Sequence, residues 1–229
     1  MRQMIRRDYI LRTIEQFIQA LARLRSLKQE GRWQEAAGSL DEEFKRFVGL
    51  DAQASAKLSE TELMARVIQG EPSLAVRDKT LLLTGLLKEA GDVAAAQERL
   101  EESHAWYLKG LHLLLETLGR EEVFETPGCV PRVEAFVSAL AGTPLPLATE
   151  ARLMQYYEYL GEFGRAEDAL FAMLEQEPAN PALIDFGLAF YERLRRQTDA
   201  SLEAGNLPRA EIEAGLAELG QRKMAGQPK

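Results

Sequence analysis

One short phrase recurs four times in this 229-residue chain: Gly31-Arg32-Trp33-Gln34-Glu35-Ala36, Gly91-Asp92-Val93-Ala94-Ala95-Ala96, Gly161-Glu162-Phe163-Gly164-Arg165-Ala166 and Gly205-Asn206-Leu207-Pro208-Arg209-Ala210. The order is glycine, any residue, an apolar residue, two further residues, alanine. Glycine adopts the left-handed conformation that ends a helix, and alanine is small enough for two helices to cross closely. Each copy follows one helical stretch and opens another. The chain therefore reads as all-α, a series of stacked antiparallel helical hairpins with about ten helices. Nowhere do apolar and polar residues alternate for long between turn signals, so no strand is expected.

The first helix is expected from about Asp8 to Glu30, where Ile10, Ile14, Phe17, Leu21 and Leu24 share one stripe. A second runs from about Gln34 to Val48 and buries Ala37, Leu40, Phe44 and Phe47 or Val48. A polar linker, Asp51 to Lys57, follows. Ser59-Glu60-Thr61-Glu62 forms a capping box for a short third helix to about Gln69. Gly70-Glu71-Pro72 breaks it, and a fourth helix spans about Pro72 to Ala90. Asp92 is the expected N-cap of a long fifth helix, Val93 to Leu118.

Proline and glycine then punctuate residues 119–148, at Pro127, Gly128, Pro131, Gly142, Pro144 and Pro146. This stretch reads as a connector with one short helix, Pro131 to Leu140, between N-terminal hairpins (1–118) and C-terminal hairpins (149–229). In the last block Thr149 is the expected cap of a helix ending at Gly161, followed by one from Phe163 to Gln176. Asn180-Pro181 opens a helix reaching about Ala204, Asn206 and Pro208 open the tenth, and residues 223–229 read as frayed.

The length suffices for one large or two small helical domains with a real core. The net charge of −8 disfavours nucleic-acid binding by the whole surface. The charge is uneven: residues 1–32 carry eight Arg and Lys against three Asp and Glu, which leaves −13 on the rest. The first helix is expected to pair with an acidic surface of its own chain; an anionic partner is the alternative. The single cysteine, Cys129, cannot form an internal disulfide. No apolar run approaches the ~20 residues that span a bilayer, and no basic, apolar, small-residue order marks a secretion signal. The expectation is a cytoplasmic protein.

The segment Leu153 to Leu170, with Glu175-Gln176-Glu177-Pro178 after it, resembles a tetratricopeptide repeat. Gly161, Phe163, Ala166 and Pro178 stand at that family's turn, packing and closing positions, and Tyr157 stands four before the turn glycine. The four turn glycines lie 60, 70 and 44 residues apart, whereas tandem repeats of that family recur every ~34. The resemblance implies a degenerate array with inserted helices. It also implies a partner-facing side made of first helices, carrying Arg25, Lys28, Lys88, Gln155, Glu158, Tyr159, Arg195 and Asp199. The clamp for a C-terminal carboxylate wants lysine and asparagine; Ala151 and Gln155 stand at those places, so that specificity is not implied. The opening, Met4-Ile5-Arg6-Arg7-Asp8-Tyr9-Ile10-Leu11-Arg12, is similar to the start of an uncharacterised bacterial family of repeat-like helical proteins. That likeness implies a bacterial origin and a native start at Met4.

Catalytic chemistry finds little support. Glu101-Glu102-Ser103-His104 holds the Glu-x-x-His spacing of di-iron bundles, but the one other histidine, His112, has Lys109 where its glutamate should stand. Cys129 lies in a connector with no histidine nearby in sequence, and reads as a structural cysteine. No phosphate-binding glycine loop and no His-Glu-x-x-His motif is present. The expectation is a non-catalytic protein-interaction or scaffold module without cofactor or metal, with protein or peptide partners and a possible homodimer through the first helix. Nucleic acid and membrane are not expected partners. The alternative is a regulatory or sensor module that takes a small or anionic ligand through the basic first helix or the concave face.

Overall fold

The computed structural model describes residues 2–69, 73–119 and 128–225. Gly70-Glu71-Pro72, Pro127, the last four residues and the side chains of Arg2, Arg6, Arg7, Tyr9, Ile10 and Leu74 lie outside what is described. Among the described residues there are twelve helices and no strand, so the chain is all-α. It divides into two compact units, Met1–Thr143 and Pro144–Lys229.

The first unit contains α1 (Arg2–Gln29), α2 (Trp33–Val48), α3 (Ala52–Ala56), α4 (Glu60–Ile68), α5 (Ser73–Ala96), α6 (Leu100–Leu118) and α7 (Val133–Ala139). Its centre is the α5–α6 hairpin; α1, α2 and α4 pack on α5, and α7 packs on α6. The stripe of α1 is buried here: Phe17, Leu21, Leu24 and Leu27 meet the core that Phe44, Leu82, Leu86, Trp106 and Phe136 fill. The linker 51–57 is ordered, with the Asp51 side chain accepting from the Ala54 amide at the head of α3. The capping box at Ser59 and Glu62 is formed.

The second unit contains α8 (Leu147–Leu160), α9 (Phe163–Gln176), α10 (Pro181–Leu194), α11 (Asp199–Ala204) and α12 (Arg209–Ala225). Helices α8 and α9 form one hairpin, and α10 packs along α12. Phe163, Ala166, Leu170, Phe190, Tyr191 and Ile212 are among its buried side chains.

Three turns repeat one backbone geometry. Gly31, Glu98 and Gly161 are left-handed, with φ of 71°, 60° and 77°. The next residues, Arg32, Arg99 and Glu162, have φ/ψ of −85°/60°, −88°/66° and −86°/64°. Their amides each donate to the carbonyl five residues back, at 2.9 Å. Five residues beyond the left-handed position stand Ala36, Ser103 and Ala166, all buried. Asn206, with φ of 57°, repeats the left-handed step between α11 and α12.

These turns correct the sequence reading at two of the four phrases. Gly91 does not end a helix; α5 runs through it to Ala96, and the turn falls at Glu98. The phrase Glu98-Arg99-Leu100-Glu101-Glu102-Ser103 is the true second copy, with glutamate and serine where glycine and alanine were sought. Gly91 instead admits a ring: a Cβ there would lie 2.4 Å from Tyr107. The Ser103 hydroxyl donates to the Gly91 carbonyl at 2.9 Å and ties the crossing shut. In the fourth phrase the left-handed residue is Asn206, and Gly205 serves close approach. Its carbonyl accepts from the Gly164 amide at 2.9 Å, and a Cβ on it would lie 2.5 Å from the Gly161 carbonyl oxygen.

Other boundaries shift for local reasons. The expected helix from Pro181 to Ala204 breaks after Leu194, because the Thr198 side chain accepts from the Ser201 amide and restarts the chain as α11. Thr149 is not a cap; it is fully buried inside α8, which starts at Leu147 after Pro146. Ala36 rather than Ala37 is fully buried on α2, with Val48 rather than Phe47. The extra break and the ordered α3 raise the expected ten helices to twelve.

Candidate functional site

The eight residues expected on a partner-facing side fall into three settings. Arg25, Lys28 and Lys88 converge on one ionic cluster in the first unit. Lys28 on α1 reaches across to Glu89 and Asp92 on α5, with Nζ 2.5 Å from Asp92 Oδ2. Lys88 Nζ approaches the same oxygen at 2.7 Å, and the Tyr107 hydroxyl donates to Asp92 Oδ1 at 2.8 Å. Arg25 lies 3.4 Å from Glu89. Glu89 is only 3% exposed, so this carboxylate is buried and neutralised by α1. Burial alone would raise the Asp92 pKa, but hydrogen bonds from Lys28 and Lys88 outweigh it and hold the group below the usual aspartate value. Burial and the Asp92 carboxylate push the Tyr107 phenol up. Arg25 and Lys28 of the basic α1 thus pair with acidic side chains of their own chain.

Gln155, Glu158 and Tyr159, all on α8, line one open depression in the second unit, of about 470 Å³. Leu160, Gly161, Phe163, Leu194 and Gln197 complete it. The left-handed turn at Gly161 leaves Tyr159 62% exposed and Leu160 47% exposed at its edge. Glu158 is fixed by a two-point contact from Arg193, Nε and Nη2 each 2.7 Å from a carboxylate oxygen. A paired fork of this kind holds both side chains in a defined geometry.

Arg195 and Asp199 lie elsewhere in the second unit. Arg195 pairs with Glu192 at 3.1 Å and Glu213 at 3.2 Å, and Asp199 pairs with Arg209 at 2.5 Å. Sequence reasoning missed Leu160, Arg193 and Glu89. Leu160 stands directly before a turn glycine, which is a readable signal for exposure. Arg193 lies 35 residues from Glu158, and nothing local announces that pairing.

The histidines are not gathered. His112 Nδ1 sits 3.0 Å from Glu60 Oε1, joining α6 to α4, while His104 Nε2 is buried with no hydrogen-bond partner. Among the described residues no group of three His, Cys, Asp or Glu side chains stands close enough to hold a metal ion. Cys129 is buried, and burial pushes its thiol up, away from a reactive thiolate. No helix among the described residues is long and apolar enough to cross a membrane.

Residues 4–224 match DUF6483, a family of unknown function, which is nearly the whole chain and both structural units. The chain belongs to the DUF6483 family. No curated protein and no solved structure matches it.

Proposed function

We propose that this DUF6483 chain is a non-catalytic protein-interaction module of the cytoplasm whose docking surface is the depression beside the Gly161 turn. The observation that carries the reading is the pairing of two exposed apolar side chains, Tyr159 and Leu160, with a concavity lined by Phe163 and Leu194. Tyrosine at the edge of a pocket offers a large apolar face with a polar tip, the chemistry enriched at the energetic centres of protein interfaces. The Arg193–Glu158 pair gives the same surface a fixed polar rim.

We further read the hairpins as degenerate tetratricopeptide-like units. Three turns with the same dihedrals and the same hydrogen bond support this. With the turn at Glu98, Gly91 falls seven residues before it and Ser103 five after, so both crossing positions of the α5–α6 hairpin are small. A homodimer through α1 would have to use its outward face, where Ile18 is 45% exposed, because the main stripe is buried within the unit.

Quantitative affinity capture from the cells that make the protein tests the reading. Wild type is compared with Tyr159→Ala and Leu160→Ser, both checked for an unchanged melting temperature. The proposal expects at least one partner recovered by wild type and lost by both variants. Identical recoveries from all three proteins would contradict it.

A further inference from the structure

A second concavity lies inside the first unit. It has a volume of about 430 Å³, within the usual range for small-molecule sites. Four alanines from three helices, Ala37, Ala52, Ala56 and Ala90, make its wall, and Leu40 and Val93 extend the apolar lining. Small side chains on facing helices leave room that larger ones would close.

The wall formed by α3 is braced from both ends. The Ala52 amide donates to Asp41 Oδ1 of α2 at 2.9 Å. At the other end Lys109 Nζ of α6 donates to the Ala56 and Leu58 carbonyls, at 2.5 and 2.7 Å. Lys109 also lies 5.4 Å over the Trp106 ring, and Trp106 lines the cleft. A five-residue helix does not hold itself in place; these side chains hold it, so the cleft is preformed.

The charges at the mouth are unequal in their commitments. Asp41 accepts from Ala52, and Glu102 accepts from Arg99 and from the Trp106 indole. Arg99 is itself engaged with Glu102 and Gln97. The Lys57 ammonium carries no hydrogen bond or ion pair among the described residues. Lys57 is therefore the charged side chain of this lining that has no partner of its own among the described residues. The Asp41 and Glu102 carboxylates in the same lining oppose each added negative charge, so a monoanion suits Lys57 better than a dianion.

We propose that this cleft binds a small aliphatic carboxylate, its carboxylate on Lys57 and its hydrocarbon body against the alanine wall. Hexanoate is the probe, with hexanamide and inorganic phosphate as controls. Binding is followed by calorimetry and by Trp106 fluorescence, using Trp33→Phe to remove the other indole. The proposal expects hexanoate to bind, hexanamide and Lys57→Met each to weaken binding about tenfold, and phosphate not to bind. Ala52→Leu, which fills the cleft, should abolish binding with the fold retained. Should that variant misfold, Ala37→Leu on the opposite wall repeats the block. Absence of hexanoate binding, equal binding of phosphate, or full binding by a folded cleft-filling variant would overturn the proposal.

Discussion

Lys28 of α1 meets the buried carboxylate of Glu89 on α5, and the same ammonium reaches Asp92 one helical turn away. Burial opposes the charge on Lys28, but hydrogen bonds to Asp92 and Glu89 outweigh it and raise its pKa. Breaking a buried pair by removing one partner leaves the other charge uncompensated, which costs about 3–5 kcal/mol. Arg25 still reaches Glu89 and Lys88 still reaches Asp92, so Lys28→Met should destabilise the first unit by less, about 1–3 kcal/mol in urea unfolding. The double variant Lys28→Met/Glu89→Met should lose much less than the sum of the singles. A purely additive cycle would mean that the contact contributes nothing.

The register of the α5–α6 turn is open to a paired test. Gly91→Ala places a methyl 2.4 Å from the Tyr107 ring, so it should destabilise by about 1–3 kcal/mol despite better helix propensity. Glu98→Gly relieves a left-handed non-glycine residue and should stabilise by about 1 kcal/mol. Thermal melts of the two variants decide the matter. Stabilisation by the first and loss by the second would put the turn back at Gly91.

This pair also marks how far the sequence could be read. The apolar stripe of α1, the capping box at Ser59 and the Gly161 hairpin were legible because each rests on residues a few positions apart. The α5–α6 turn was not, because glycine has two uses. At Gly31 and Gly161 it supplies the left-handed step; at Gly91 and Gly205 it makes room for a neighbour. Those uses look identical in sequence, while Glu98 adopts the strained conformation without a glycine to announce it. The depression at Tyr159 was half legible: Gln155, Glu158 and Tyr159 share α8, but Leu194 and Gln197 arrive through tertiary packing.

Glu167 gives the second unit a distinct pH response. Burial raises its pKa, the hydrogen bond from the Tyr191 hydroxyl at 2.6 Å opposes this, and Glu211, Asp168 and Glu218 push it further up. A carboxyl raised in the folded state contributes stability below its unfolded pKa, and that contribution is lost as pH rises through the folded value. Glu167→Gln, whose amide oxygen still accepts from Tyr191, removes the penalty at neutral pH. The difference in melting temperature between variant and wild type should therefore shift in favour of the variant as pH climbs from acid to neutral. A difference independent of pH would show that Glu167 carries no such burden.

Whether the proposed surface beside the Gly161 turn meets another protein is decided by site-specific photocrosslinking in native cells. A photoreactive phenylalanine analogue replaces Tyr159, with the exposed Glu101 of the first unit as the control position. Position 159 should give a discrete adduct that the control does not give and that Leu160→Ser removes. The same diffuse background from both positions would contradict the proposal.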